Sequence, residues 1–133
     1  MIRTVLRWLL ALFYAVAAWF HITAPGPFLR IMPAPVPWHE GVVFGTGVAE
    51  LLGAAALAQP WSKRLRRAGA IGLALYALCV WPANVNHFAM DMAQPGHGWG
   101  LAYHVPRMFA QPLLIWLALW TGGVTDWPWR RRD

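Results

Sequence analysis

The 133-residue chain has one cysteine and five acidic residues. Cys79 has no second thiol to pair with, which excludes an intramolecular disulfide and any Cys-x-x-Cys redox motif and leaves it a small packing residue. Only 12% of residues are charged, too few to clothe a soluble domain of this length. A haem-attachment motif and a glycine-rich dinucleotide fingerprint are also missing, so any electron carrier must come from a bound quinone or a partner protein.

What is present is apolar. Hydrophobic residues make up 59% of the chain and the mean hydropathy is +0.42, values that point to an integral membrane protein. A helix needs roughly 20 mostly apolar residues to cross a bilayer. Residues 5–24, 41–58, 68–88 and 103–121 approach that length, which predicts a single domain over 1–133. The expected fold is all-α, an integral membrane four-helix bundle. Of the eleven basic residues, Arg3, Arg7, Lys63, Arg64, Arg66, Arg67, Arg130, Arg131 and Arg132 flank one side, and Arg30 and Arg107 the other. Cytoplasmic loops keep the excess of Lys and Arg, so both termini are expected in the cytoplasm, with a bacterial inner membrane as the setting. The net charge of +6 is then an orientation signal with some attraction to anionic headgroups; the partner it implies is the lipid bilayer, not nucleic acid. A cleaved signal peptide ending near Ala15-Val16-Ala17 is the competing reading of the first segment, but the apolar run continues through Trp19 and Phe20.

The outer connection 25–40 carries Pro25, Pro27, Pro33, Pro35 and Pro37, which favours an extended, polyproline-like path. Phe28, Leu29, Ile31 and Met32 make it too apolar to float in water, so this proline-rich loop is expected to pack on the bundle. The inner connection 59–67 reads as a short basic loop. A second outer loop, 89–102, is glycine-rich around His97 and Trp99.

All five histidines fall on the side away from the basic flanks. Glu50 sits about nine residues into the second span, roughly 13 Å below the outer boundary at about 1.5 Å per residue. A charge at that depth must be protonated, paired or wetted. His21, Asn84, Arg107 and Gln111 lie in the outer halves of the other spans, so one polar pocket can collect all five. The bland alternative is a buried Glu50–Arg107 ion pair that fixes helix register, with His21 and the amides as hydrogen-bonding glue.

A second constellation runs from Asn86 to Met92. His87 and Asp91 are four apart and share a face if the helix persists; with Met90 and Met92 they form a candidate metal set. Thioether with imidazole suits Cu(I), and imidazole with carboxylate suits Zn(II) or Cu(II). His39, His97 and His104 complete an outer rim.

The order of these residues resembles the DoxX-like small membrane proteins. The likeness rests on Trp19-Phe20-His21, then Ile31-Met32-Pro33 and Pro35-Val36-Pro37, then Gly47-Val48-Ala49-Glu50-Leu51-Leu52-Gly53. It continues with Pro60, Arg66-Arg67-Ala68, Trp81-Pro82-Ala83-Asn84, and Pro106-Arg107 with Gln111, covering about residues 8 to 120. The resemblance implies a four-helix membrane fold, and His21, Glu50, Asn84, Arg107 and Gln111 are its most family-like positions. DoxX-like relatives include a subunit of thiosulfate:quinone oxidoreductase and proteins associated with redox or copper-handling systems. The group His87, Met90, Asp91 and Met92 matches no motif of that family.

Two expectations follow. The first is a redox-associated subunit that binds a quinone or small sulfur compound, Arg107, Gln111 and Asn84 holding the ligand while Glu50 and His21 relay protons to serve a partner protein. The second is a copper or small-molecule binding and transport protein without catalysis. Oligomerisation is compatible with either.

Overall fold

The computed structural model describes residues 1–128; Arg130 to Arg132, used above as an orientation signal, lie outside the described residues. The described residues are helical, without strands: α1 (Ile2–Thr23), α2 (Gly26–Arg30), α3 (His39–Ala58), α4 (Lys63–Met92) and α5 (Leu101–Gly122). Three of them, α1, α3 and α4, are long and apolar enough to cross a membrane, and this suggests a membrane protein. At 22 residues α5 matches α1 in length, but His104, Pro106, Arg107, Gln111 and Pro112 reduce its hydropathy.

Two boundaries differ from expectation for identifiable reasons. The segment after α1 is not wholly extended: Pro25 and Pro27 start the short helix α2, because proline lacks only an N–H that the first turn leaves unpaired anyway. The basic stretch 63–67 is not loop but the first turns of α4, started by Ser62, whose hydroxyl accepts from the Leu65 N–H at 3.2 Å. Cations in a first turn oppose the helix dipole. Here they reach the C-terminal carbonyls of neighbouring helices instead: Arg66 donates to Gln59 O after α3, and Arg67 to Gly123 O after α5. Arg3 of α1 likewise donates to Trp120 O at 2.7 Å. These contacts gather the start of α1, the α3–α4 connection and the end of α5 at one basic end.

Helix α1 packs on α3 and α5, and α4 packs on α3 and α5. The half nearer the basic end is filled by Leu10, Ala11, Tyr14, Ala54, Leu57, Ala70, Leu73 and Ala118. Alanine and glycine dominate the seams, so the backbones approach closely, the mode of helix packing available where lipid surrounds the protein. A Cβ on Gly122 would fall 2.1 Å from Ala70 Cβ, and one on Gly69 would fall 2.4 Å from Ala56 Cβ. Large apolar side chains such as Leu9, Leu12, Phe13, Leu52, Leu75 and Phe109 face outward, whereas His21, Glu50, Asn84, Asp91, His104 and Gln111 are buried.

Gly122→Ala should therefore wedge α5 from α4 and lower stability by about 1–3 kcal/mol. Gly72→Ala, which meets nothing within 4 Å, should be neutral or stabilising by up to about 1 kcal/mol. Thermal unfolding of the two purified variants compares them directly.

Candidate functional site

Beyond the filled half the helices enclose a cavity of about 290 Å³. Each element contributes to its wall: Phe13, Tyr14 and His21 from α1; Phe28 with Ile31 and Met32 from α2 and its exit; Thr46 and Glu50 from α3; Tyr76 and Asn84 from α4; Arg107 and Gln111 from α5. The five polar residues singled out in the sequence thus line one space. The apolar segment after α1 closes it, with Phe28 stacked on His21 at 3.7 Å between ring centroids and Asn86 Nδ2 donating to Ile31 O at 2.9 Å.

Local backbone fit brings the central pair together. Gly47 lies three residues before Glu50, and a Cβ there would meet His21 Cβ at 2.9 Å, so its absence lets α3 close on α1 at this level. His21 Nδ1 then lies 2.8 Å from Glu50 Oε2. The same N–H is aligned on the Ala17 carbonyl at 3.0 Å, which leaves that carboxylate oxygen without an aligned hydrogen bond. The Tyr76 hydroxyl is directed at the Glu50 carboxyl from α4. The His21 Nδ1–H donates to Ala17 and lies beside Glu50 without an aligned bond to it.

The Glu50–Arg107 ion pair considered above does not form among the described residues; the ionic neighbour of Glu50 is His21. Arg107 instead donates to His87 Nδ1 at 2.7 Å and sits over the Tyr103 ring, 5.4 Å from its centroid.

Three polar atoms of the cavity wall are buried without a hydrogen-bond partner: Tyr14 Oη, Glu50 Oε2 and Gln111 Oε1. Their residues are 1%, 2% and 8% exposed. Leaving a buried polar group unpaired costs about 1–3 kcal/mol. Three such groups on one cavity are available to hydrogen-bond a molecule that enters it.

The second cluster adjoins the first through Arg107. Helix α4 persists to Met92, so His87 and Asp91 do share a face, with His87 Nε2 3.6 Å from Asp91 Oδ2. His104 of α5, fully buried, joins them and places Nε2 2.9 Å from the same oxygen. The Trp99 N–H donates to it at 3.0 Å, and only glycine fits at position 98, where a Cβ would fall 2.4 Å from Asp91 Cγ. The candidate ligand atoms of His87, Asp91 and His104 lie within 4.8 Å of one another, a spacing able to hold a metal ion. Met90 does not join this group: it is 41% exposed and its sulfur accepts from Asn86. Met92 offers its carbonyl to His97. The donor set is therefore two imidazoles and a carboxylate, of the Zn(II) or Cu(II) type. Arg107, however, can only donate, so the neutral His87 ring keeps its proton on Nε2, facing Asp91. A metal at that nitrogen would require Arg107 to withdraw.

His39 and His97 stand apart from this cluster, at the start of α3 and in the loop after α4. Sequence reasoning did not single out Tyr14 and Tyr76, and it placed His104 in the outer rim without joining it to Asp91. Tyr14 precedes His21 by two turns and His104 precedes Gln111 by two turns, each pair on one helical face. The signal was overlooked because tyrosine on an apolar stripe reads as core packing.

The chain matches the family described as a domain of unknown function (DUF8561) over residues 10–122, and it belongs to that family. No curated protein and no solved structure matches it.

Gln111→Leu removes an unpaired buried acceptor while keeping its approximate volume. In ligand-free protein it should be neutral or raise stability by up to about 2 kcal/mol. A thermal shift in the opposite direction would show that Gln111 is already satisfied within the fold.

Proposed function

We propose that the chain is an integral membrane four-helix bundle whose cavity binds a small, largely apolar molecule carrying a hydroxyl, of which a quinol headgroup is the best-fitting class. One observation carries this reading: the three unpartnered buried polar atoms, Tyr14 Oη, Glu50 Oε2 and Gln111 Oε1, on the wall of a single cavity. The unpaired Oε2 of Glu50 is left to accept a hydrogen bond from within the cavity. The complementary ligand is a donor at that end. Arg107 and Asn84 at the other end hold an oxygen-bearing group. A cavity near 290 Å³ is at the small end for ligand sites, roughly 300–1,000 Å³, and suits a single ring better than a dinucleotide.

The membrane arrangement belongs to the same proposal. At about 1.5 Å per residue α5 is roughly 33 Å long, enough to serve as the fourth span with its polar face turned inward. Arg3, Arg7 and the basic start of α4 at one end support an orientation with both termini in the cytoplasm and the cavity toward the outer leaflet of a bacterial inner membrane. The DoxX-like resemblance accords with a redox-associated subunit that presents its ligand to a partner protein. A small sulfur compound is the other ligand class that resemblance brings. Glu50 is the group that takes up or holds the ligand's hydroxyl proton.

Titration of the protein in lipid nanodiscs with a short-chain quinol tests the reading. Glu50→Gln should weaken binding by roughly tenfold or more, the loss expected for a hydrogen bond to a charged group, and Tyr14→Phe by a few-fold. The same affinity for wild type and Glu50→Gln contradicts it.

The His87, Asp91 and His104 spacing supports a second reading, a zinc or copper binding protein without catalysis. Elemental analysis separates the two. Stoichiometric metal in the wild type that is lost in Asp91→Asn would move the function to this cluster; no retained metal is the result expected while Arg107 holds His87.

A further inference from the structure

The basic end carries a feature that the cavity leaves unexplained. Arg7 falls on the same face of α1 as the buried Leu10, Ala11, Tyr14 and Ala18, and Arg66 on the same face of α4 as Ala70, Leu73 and Ala77. Both side chains are half-buried. The Nε of each is buried with no hydrogen-bond partner among the described residues. Arg66 satisfies one terminal nitrogen on the carbonyls of Gln59 and Pro60, both at a long 3.3 Å. The two guanidinium groups are near enough that the charge of Arg66 acts on Arg7. Asp126, the one carboxylate at this end among the described residues, is taken by Arg3 at 2.7 Å.

Two guanidinium groups at one end of the helices, each with an unused buried donor and with no free carboxylate there among the described residues, favour an anion beside them. Arginine's planar fork matches the oxygens of a phosphate. We infer that Arg7 and Arg66 form an anion site that takes a phosphate group at the basic end of the helices, supplied by an anionic phospholipid headgroup. The half-exposed Trp8 and the exposed Trp61 beside it are side chains that settle at headgroup depth, and basic pockets between membrane helices hold lipid headgroups in this way. This site is separate from the cavity and stands whether or not a quinol binds there.

The test measures thermal unfolding of the detergent-purified chain with phosphatidylglycerol, with phosphatidylcholine, and with inorganic phosphate against chloride at equal ionic strength. A ligand that binds only the folded state raises the midpoint. Phosphatidylglycerol should raise it and phosphatidylcholine should not. Arg7→Gln and Arg66→Gln should each remove about half or more of that rise. Arg64→Gln, an exposed arginine of the same helix start, should leave it intact. A phosphate rise equal to the lipid's would keep the site and make free phosphate its ligand; a lipid-only rise assigns the headgroup. No rise from either anion, or an equal loss in Arg64→Gln and Arg7→Gln, overturns the site in favour of diffuse surface charge. Should both glutamine variants fail to fold, native mass spectrometry of the wild type decides: one phosphatidylglycerol retained per chain supports the site, and none contradicts it.

Discussion

Glu50, 2% exposed in the middle of a 20-residue apolar helix, sets the terms for the half of this molecule away from the basic end. A carboxyl there cannot be solvated from the apolar outside, so its neighbours must answer it. Gly47 allows the approach that brings in His21, and Tyr76 reaches it from α4. Even so, one carboxylate oxygen remains without an aligned donor, as do Tyr14 and Gln111 across the same space. A purely structural polar network would be expected to close on itself. This one closes on part of its members and leaves a hollow facing the rest.

The two ends of the helices solve different problems. At the basic end, small residues let leucine and tyrosine side chains fill the interior, and arginines cover the carbonyls that helix ends leave unpaired. At the other end the interior is polar and only partly filled. Arg107 ties its two parts together, lining the cavity while donating to His87, beside which Asp91 collects His104 and the Trp99 amide. The loop after α4 is thereby joined through Asp91 and His87 to a cavity residue. His87, Asp91 and His104 form one connected network with the pocket, with Arg107 as the joint.

Much of this was legible in the residues because burial of ionisable groups among apolar helices is costly enough to be informative. His21, Glu50, Asn84, Arg107 and Gln111 could be grouped by depth alone, and all five line the same cavity. Helix register supplied the His87 and Asp91 pairing. What escaped was set by local or tertiary detail. Proline density read as extended chain, although Pro25 and Pro27 occupy the one part of a helix that accepts them. The basic residues of α4's first turns read as loop, although Ser62 caps them and carbonyls at the ends of other helices accept from them. The alternative Glu50–Arg107 pair stood open in the sequence because depth along a helix does not say which face a long side chain chooses. Arg107 turned to Tyr103 and His87.

The central claim is that the cavity is completed by a bound molecule. An experimental structure of the chain in a native-lipid nanodisc, at a resolution that shows side-chain hydrogen bonds, is its most direct test. The account predicts non-protein density in the cavity with polar atoms within hydrogen-bonding distance of Glu50 and of Tyr14 or Gln111. A collapsed cavity in which those three side chains pair with one another, or with protein groups only, would contradict it.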